Sequence, residues 1–139
     1  MLVNRTEVPV RFSEVDSLRV VWHGHFVKYF EDGREAFGRE FNLSYLDVFH
    51  SDGMAVPIVD LQVQYKKPLE YGDTAIIETT FINTPAAKII FDFKIFSGKH
   101  KYLACVGQTT QVFMNPVNKE LYITNPPYFE GWKKTHGLM

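Results

Sequence analysis

Between Phe26 and Phe41 the apolar stripe falls at intervals of three and four, through Phe26, Tyr29, Phe30, Gly33, Phe37 and Phe41. Lys28, Glu31, Asp32, Arg34 and Glu35 lie mostly elsewhere, so the spacing predicts an amphipathic helix of roughly four to five turns. Every other strong pattern in the chain has a period of two. Val8, Val10 and Phe12 alternate with Pro9, Arg11 and Ser13 ahead of the helix. After Pro57, Val59, Leu61, Val63 and Tyr65 alternate with Asp60, Gln62, Gln64 and Lys66 until Pro68 interrupts. "TAIIETTFIN", "KIIFDFKIF" and "YLACVGQTTQVFM" then read as three further strands, with "YGD" and "SGK" as turns.

One strand, one helix and four strands define an α+β chain. Sequential strands with short connections pair antiparallel, so the expected architecture is a curved antiparallel sheet wrapped on one long helix. Gly33 lies on the apolar stripe at a cost of about 1 kcal/mol relative to Ala, which predicts very close packing against it. From Asn42 to Val56 no clean period survives, and a long loop or lid is predicted. The C-terminal "NPPYFEGWKKTHGLM" predicts irregular structure or a short helix lying on the body. At 139 residues the chain has the length of one domain, taken as 1–139. A single helix covers only one sheet face, so a second copy is expected to cover apolar surface or extend a sheet edge.

Twelve Phe and seven Tyr suggest a large core or an acyl or aryl pocket. Lys plus Arg is 15 against 16 acids, and the charges are scattered, which argues against nucleic-acid and anionic-membrane partners. No apolar run approaches the ~18–20 residues of a membrane span, and "MLVNRTEVPVRF" lacks a signal-peptide core, so a cytoplasmic protein is expected. The lone Cys105 excludes an internal disulfide and a cysteine-based zinc cluster, and its apolar strand predicts a buried structural thiol.

The stretch "FSEVDSLRVVWHGHF" carries the candidate chemistry. Asp16 falls between a strand and a helix start, seven residues ahead of His23. A carboxylate beside helix N-terminal N–H groups is suited to activating water or attacking an acyl carbon while the N–H groups hold the oxyanion. A turn or capping residue is the commoner role for such an Asp on spacing alone. His23 and His25 form an H-x-H pair, but they share a face only on a strand and have no third ligand near them in the sequence, so no metal and no cofactor is expected. His23 can serve as a base or through its backbone N–H, and Gly24 allows a ligand close to the backbone. Ser13 and Ser17 lack a nucleophile elbow. Lys66 and Lys67, at a strand end, suit phosphates or plain solvent.

Taken together, "VRFSEVDSLRVVWHGHFVKYFEDGREAF" and the element order resemble the 4-hydroxybenzoyl-CoA thioesterase-like branch of the hotdog-fold acyl-CoA thioesterases. The likeness runs from about Val8 to Met114 and takes in "VQYKKPLEYGD". It implies a hotdog fold, dimers that pair into tetramers, active sites at the subunit interface, and an acyl-CoA substrate hydrolysed without a metal. On the matching positions Asp16 becomes the catalytic acid, acting as general base or nucleophile. His23 becomes the helix-start residue whose N–H polarises the thioester carbonyl, with Trp22, Gly24 and His25 around the acyl end. Lys66 and Lys67 become CoA contacts. One position departs: a glycine is usual three residues after the Asp, where this chain has Arg19, implying another loop path or a cation near the acyl or phosphate site. A hotdog hydratase or dehydratase, or a non-catalytic acyl-ligand scaffold, are the other functions such a chain can have.

Overall fold

The computed structural model describes all residues from Met1 to Met139. Five strands, β1 (Val3–Pro9), β2 (Ile58–Tyr65), β3 (Thr74–Ile82), β4 (Lys88–Ser97) and β5 (Leu103–Val112), form one antiparallel sheet in the order β1-β3-β4-β5-β2. Helix α1 (His25–Phe41) lies across one face. The expected α+β hotdog architecture is therefore present, with β1 and β2 as the sheet edges.

The period-two runs of β3 and β4 bury the faces they advertise, whereas that of the edge strand β2 does not: Val59, Leu61 and Tyr65 stay exposed. Ile89, Phe91, Phe93 and Ile95 of β4 are all buried, as are Ile77, Thr79 and Phe81 of β3. They meet Phe26, Tyr29, Phe30 and Phe37 from the helical stripe, and Phe30 stacks on Phe93 with ring centroids 4.7 Å apart. Gly33 is where helix and sheet come closest: a Cβ there would lie 2.5 Å from Thr79 Oγ1 and 2.6 Å from Ile77 Cγ2. The close approach anticipated from its place on the stripe is real. α1 ends on Asn42, which takes the left-handed conformation at φ 59° and donates its N–H to Gly38.

Two expectations need correction. The predicted loop from Asn42 to Val56 contains a helix, α2 (Tyr45–Asp52), started by Ser44, whose hydroxyl accepts the Asp47 N–H at 3.1 Å, and stopped by left-handed Gly53. Only Val48 of its eight residues is buried, so no apolar stripe marked it. The first strand also stops at Pro9, short of Phe12. Val10 N–H still reaches the Asp73 carbonyl, but Phe12 begins a 3-10 turn, Phe12–Glu14, and is 78% exposed. The C-terminal segment takes the short-helix alternative as α3 (Pro127–Thr135), whose Phe129 and Trp132 bury against Phe81. Cys105 is buried, and burial pushes its thiol up to about 12. No helix is long and apolar enough to cross a membrane.

Candidate active site

The segment between β1 and α1 is a small ribbon folded back on itself. The Asp16 N–H donates to the Val20 carbonyl at 2.9 Å, the Arg19 N–H returns to the Asp16 carbonyl at 2.9 Å, and Val15 bridges Val21. Asp16 Oδ1 accepts the Leu18 N–H at 2.8 Å, which fixes the turn from within. Arg19 sits at φ 66°. The backbone thus takes the left-handed bend that a glycine would take freely; the Arg19 side chain is exposed. One rung further along, the Trp22 N–H donates to the Glu14 carbonyl at 2.9 Å. Asp16 is therefore two residues, or about 7 Å, along the ribbon from the level at which the chain enters α1.

At that entry the His25 N–H donates to the Trp22 carbonyl and the Phe26 N–H to the His23 carbonyl. The N–H groups of His23 and Gly24 have no partner within the chain. They are the free donors that a helix start offers to an anion or oxyanion. The Trp22 ring folds over this corner, 4.8 Å from the His23 ring and 5.5 Å from that of His25. A Cβ on Gly24 would fall 2.1 Å from the same indole, so glycine is what lets the ring lie there.

The second motif reaches the same place. The Val21 N–H donates to the Leu69 carbonyl, Val20 bridges Glu70, and the Tyr65 hydroxyl donates to the His23 carbonyl at 2.8 Å. Lys66 and Lys67 follow at the strand end, both exposed, with Lys67 Nζ 5.0 Å from the Tyr102 ring centroid. The fold brings Asp16, Trp22, His23, Gly24, His25 and the Lys66–Lys67 pair to one end of the molecule.

Sequence reasoning missed Glu14. Its carboxylate is fully buried and accepts from the Arg11 N–H at 2.8 Å, the Tyr29 hydroxyl at 2.9 Å and the Arg11 guanidinium at 3.1 Å, with Lys28 Nζ 3.7 Å away. Burial alone would raise its pKa, but those hydrogen bonds and the two cations outweigh it and hold the carboxyl below its ordinary value. Burial and the Glu14 contact push the Tyr29 hydroxyl up. Glu14 ties the 3-10 turn to α1 and so fixes the root of the Asp16 ribbon.

At the other end of α1 lies a cavity of about 400 Å³ between α1, α2, β4 and β5. Leu43, Val48, Ile89 and Phe91 supply its apolar wall, and Tyr45 and Gln111 polar groups. No residue named in the sequence analysis as a site residue lines it.

Residues 10–123 match the model of the thioesterase-like superfamily. The chain is similar to a protein of Bacillus subtilis named putative acyl-CoA thioesterase YneP, 32% identical over 97 residues, 70% of each chain. It is also similar to the 1,4-dihydroxy-2-naphthoyl-CoA hydrolase of Prochlorococcus marinus, 33% identical over 86% of this chain and 81% of the relative. The crystal structure of the DHNA-CoA thioesterase from Staphylococcus aureus superposes with a TM-score of 0.85 at 26% identity, covering 99% of this chain and 93% of that one. The chain belongs to the thioesterase-like superfamily, as a thioester hydrolase of hotdog fold.

Proposed function

We propose that the chain hydrolyses an acyl-CoA thioester to the free acid and CoA, using Asp16 and the start of α1. The observation that carries this reading is the pair of unpartnered N–H groups at His23 and Gly24, beside a ribbon that ends in a carboxylate. The thioester carbonyl oxygen accepts from those N–H groups. Asp16 takes a proton from a water whose oxygen bonds to the carbonyl carbon, the oxyanion forms against the donors, and its collapse breaks the C–S bond. The proton on Asp16 then goes to the departing sulfur. In the nucleophilic variant Asp16 bonds the acyl carbon itself, CoA leaves, and water cleaves the resulting anhydride. Trp22, Gly24 and His25 flank the acyl carbonyl, and Arg19, Lys66 and Lys67 offer cations to the CoA phosphates. The names of the Bacillus and Prochlorococcus relatives support a CoA thioester as substrate.

The working unit is a homodimer, and by likeness to the family two dimers pair into a cytoplasmic tetramer. β2 is an unpaired edge, and Leu61 and Tyr65, on its helix side, remain 42% and 49% exposed. Antiparallel pairing of β2 with the same strand of a second copy, about a two-fold axis, satisfies the edge and covers those side chains. It also juxtaposes unlike ends. Tyr65, at one end of β2, holds His23; Ile58, at the other end, pairs with Gln111 in the cavity wall. Those ends are about 23 Å apart within a chain, whereas across the two-fold the helix start of one copy approaches the cavity of the other.

The test is thiol release from a panel of aryl- and fatty-acyl-CoAs by wild type and Asp16→Asn. The expected result is a rate lowered about 10²–10⁴-fold in the variant. Equal rates on every substrate would remove Asp16 from the mechanism.

A further inference from the structure

We infer that Tyr65 is a positioning residue of the proposed thioesterase, whose hydroxyl orients and polarises the Gly24 peptide group that donates to the thioester oxygen. The inference rests on that reading and adds what makes the second of its two donors strong.

The His23 carbonyl and the Gly24 N–H belong to one planar amide. A hydrogen bond received by the carbonyl draws charge toward its oxygen and strengthens what the N–H of the same amide can donate. The His23 N–H has such support, because the carbonyl of its own amide, that of Trp22, accepts the His25 N–H at 2.9 Å. The Gly24 amide receives less from the helix. The Phe26 N–H stands 3.4 Å from the His23 carbonyl, beyond the usual limit of about 3.2 Å for a bond of that kind. Tyr65 makes good the deficit, since its hydroxyl donates to the same oxygen at 2.8 Å.

The sheet holds that hydroxyl in place. Tyr65 ends β2 paired with Cys105, and the N–H groups of Lys66 and Lys67 that follow it both donate to the Ala104 carbonyl, at 2.8 and 3.0 Å. Its ring packs edge-on against Phe26, with centroids 5.4 Å apart, and against His23 at 6.1 Å. A strand end thus clamps the helix start. Gly24 carries no side chain to restrict its backbone, so the clamp on the His23 carbonyl also sets the direction in which the Gly24 N–H points.

The experiment is Tyr65→Phe, which deletes the hydroxyl and keeps the ring contacts, with Tyr102→Phe as the control. Tyr102→Phe deletes a matched bond at the same end of the sheet, from the Tyr102 hydroxyl to the Pro68 carbonyl at 2.5 Å. Loss of a whole oxyanion donor costs about 10²–10³ in kcat. Tyr65→Phe weakens one donor and leaves it in place, so kcat is expected to fall about tenfold with KM within about twofold of wild type. Tyr102→Phe is expected to keep the wild-type kcat, and replacing Tyr65 by para-aminophenylalanine, which restores a donor, to recover most of the loss. Independently of turnover, the Gly24 amide nitrogen resonance is expected to move upfield in Tyr65→Phe and to return with the amino analogue. A kcat within about twofold of wild type, a rise in KM alone, an equal loss in Tyr102→Phe, no recovery with the amino analogue, or an unmoved Gly24 resonance would each overturn the role of Tyr65. If wild type releases no thiol from any acyl-CoA, the thioesterase reading fails instead. The Gly24 resonance then decides alone: unmoved, it overturns the polarisation by Tyr65, and moved, it upholds it.

Discussion

The Tyr29 hydroxyl donates to the fully buried Glu14 carboxylate at 2.9 Å, joining the second turn of α1 to the root of the ribbon that carries Asp16. The carboxylate also accepts from the Arg11 N–H and lies within reach of Arg11 and Lys28, whose own side chains are about half exposed. Removing the acceptor strands the Tyr29 hydroxyl in the core, while the two cations can return to water. Glu14→Ala is expected to cost about 3 kcal/mol of stability, read as a fall in the urea midpoint at unchanged m.

The same carboxylate gives stability a pH dependence of definite sign. Glu14 is held below its ordinary 4.5, so near that pH the unfolded chain binds more protons than the folded one. Its contribution is complete above 4.5 and is lost as pH falls through the lower folded value. Asp32, whose carboxyl burial pushes up, works in the opposite direction in the same neighbourhood. The difference between wild type and Glu14→Gln isolates the Glu14 part: the gap between their melting temperatures is expected to narrow as pH drops below 4.5.

Asp16 has a structural task as well as the proposed chemical one, since Oδ1 accepts the Leu18 N–H. Asparagine keeps that amide oxygen and loses the base; alanine loses both. Asp16→Asn is expected to melt within about 0.5 kcal/mol of wild type, and Asp16→Ala to lose about 1 kcal/mol. Both should lose thioesterase turnover alike. If turnover instead tracked the loss of stability, the carboxylate would be a turn residue and nothing more.

Arg19 holds a left-handed φ of 66°, which costs a side-chain-bearing residue about 1–2 kcal/mol, against the smaller entropic penalty of glycine. Arg19→Gly is expected to raise stability by up to about 1 kcal/mol. It is also expected to raise KM for acyl-CoA with little change in kcat, because a cation that contacts CoA phosphate contributes to binding in ground and transition states alike.

How much of this was legible in the sequence depended on how far apart the cooperating residues lie. The α1 stripe and β2 to β5 are local patterns and were legible as such, whereas Asp16 on spacing alone read as a turn residue, which its Leu18 contact fits, and its proposed role and that of His23 came from the family resemblance. α2 escaped because its signals are its ends, Ser44 and Gly53, while Tyr45, Leu46 and Phe49 all stay partly exposed and give no buried stripe. Glu14 escaped because its burial is created by Tyr29, fifteen residues on. Tyr65 was legible as a strand residue and not as a clamp on the helix start, because His23 lies 42 residues before it. Phe12 misled because the period-two pattern continues past Pro9, where the ladder with β3 ends.

Gly33 offers a test of the helix–sheet contact. On an open helix Gly→Ala gains about 1 kcal/mol. Here the new methyl meets Thr79 Oγ1 and Ile77 Cγ2 at 2.5 and 2.6 Å, and both residues are fully buried in β3 and cannot withdraw. Overpacking is expected to win, for a net loss of about 1–3 kcal/mol in Gly33→Ala, measured by denaturant unfolding. A gain would mean that α1 can lift from the sheet.

Leu61 tests the assembly. It pairs with Thr109, projects to the helix side of β2, and stays 42% exposed. A lysine there remains solvated in a monomer and is buried without a partner in a dimer built on β2, so Leu61→Lys is expected to shift the native mass downward in light scattering. If the helix start of one copy works with the cavity of the other, thioesterase turnover falls with that mass, and concentrating the variant restores both together. A monomeric variant with undiminished turnover would confine the whole site to one chain, against the 23 Å or so that separates the two ends of β2.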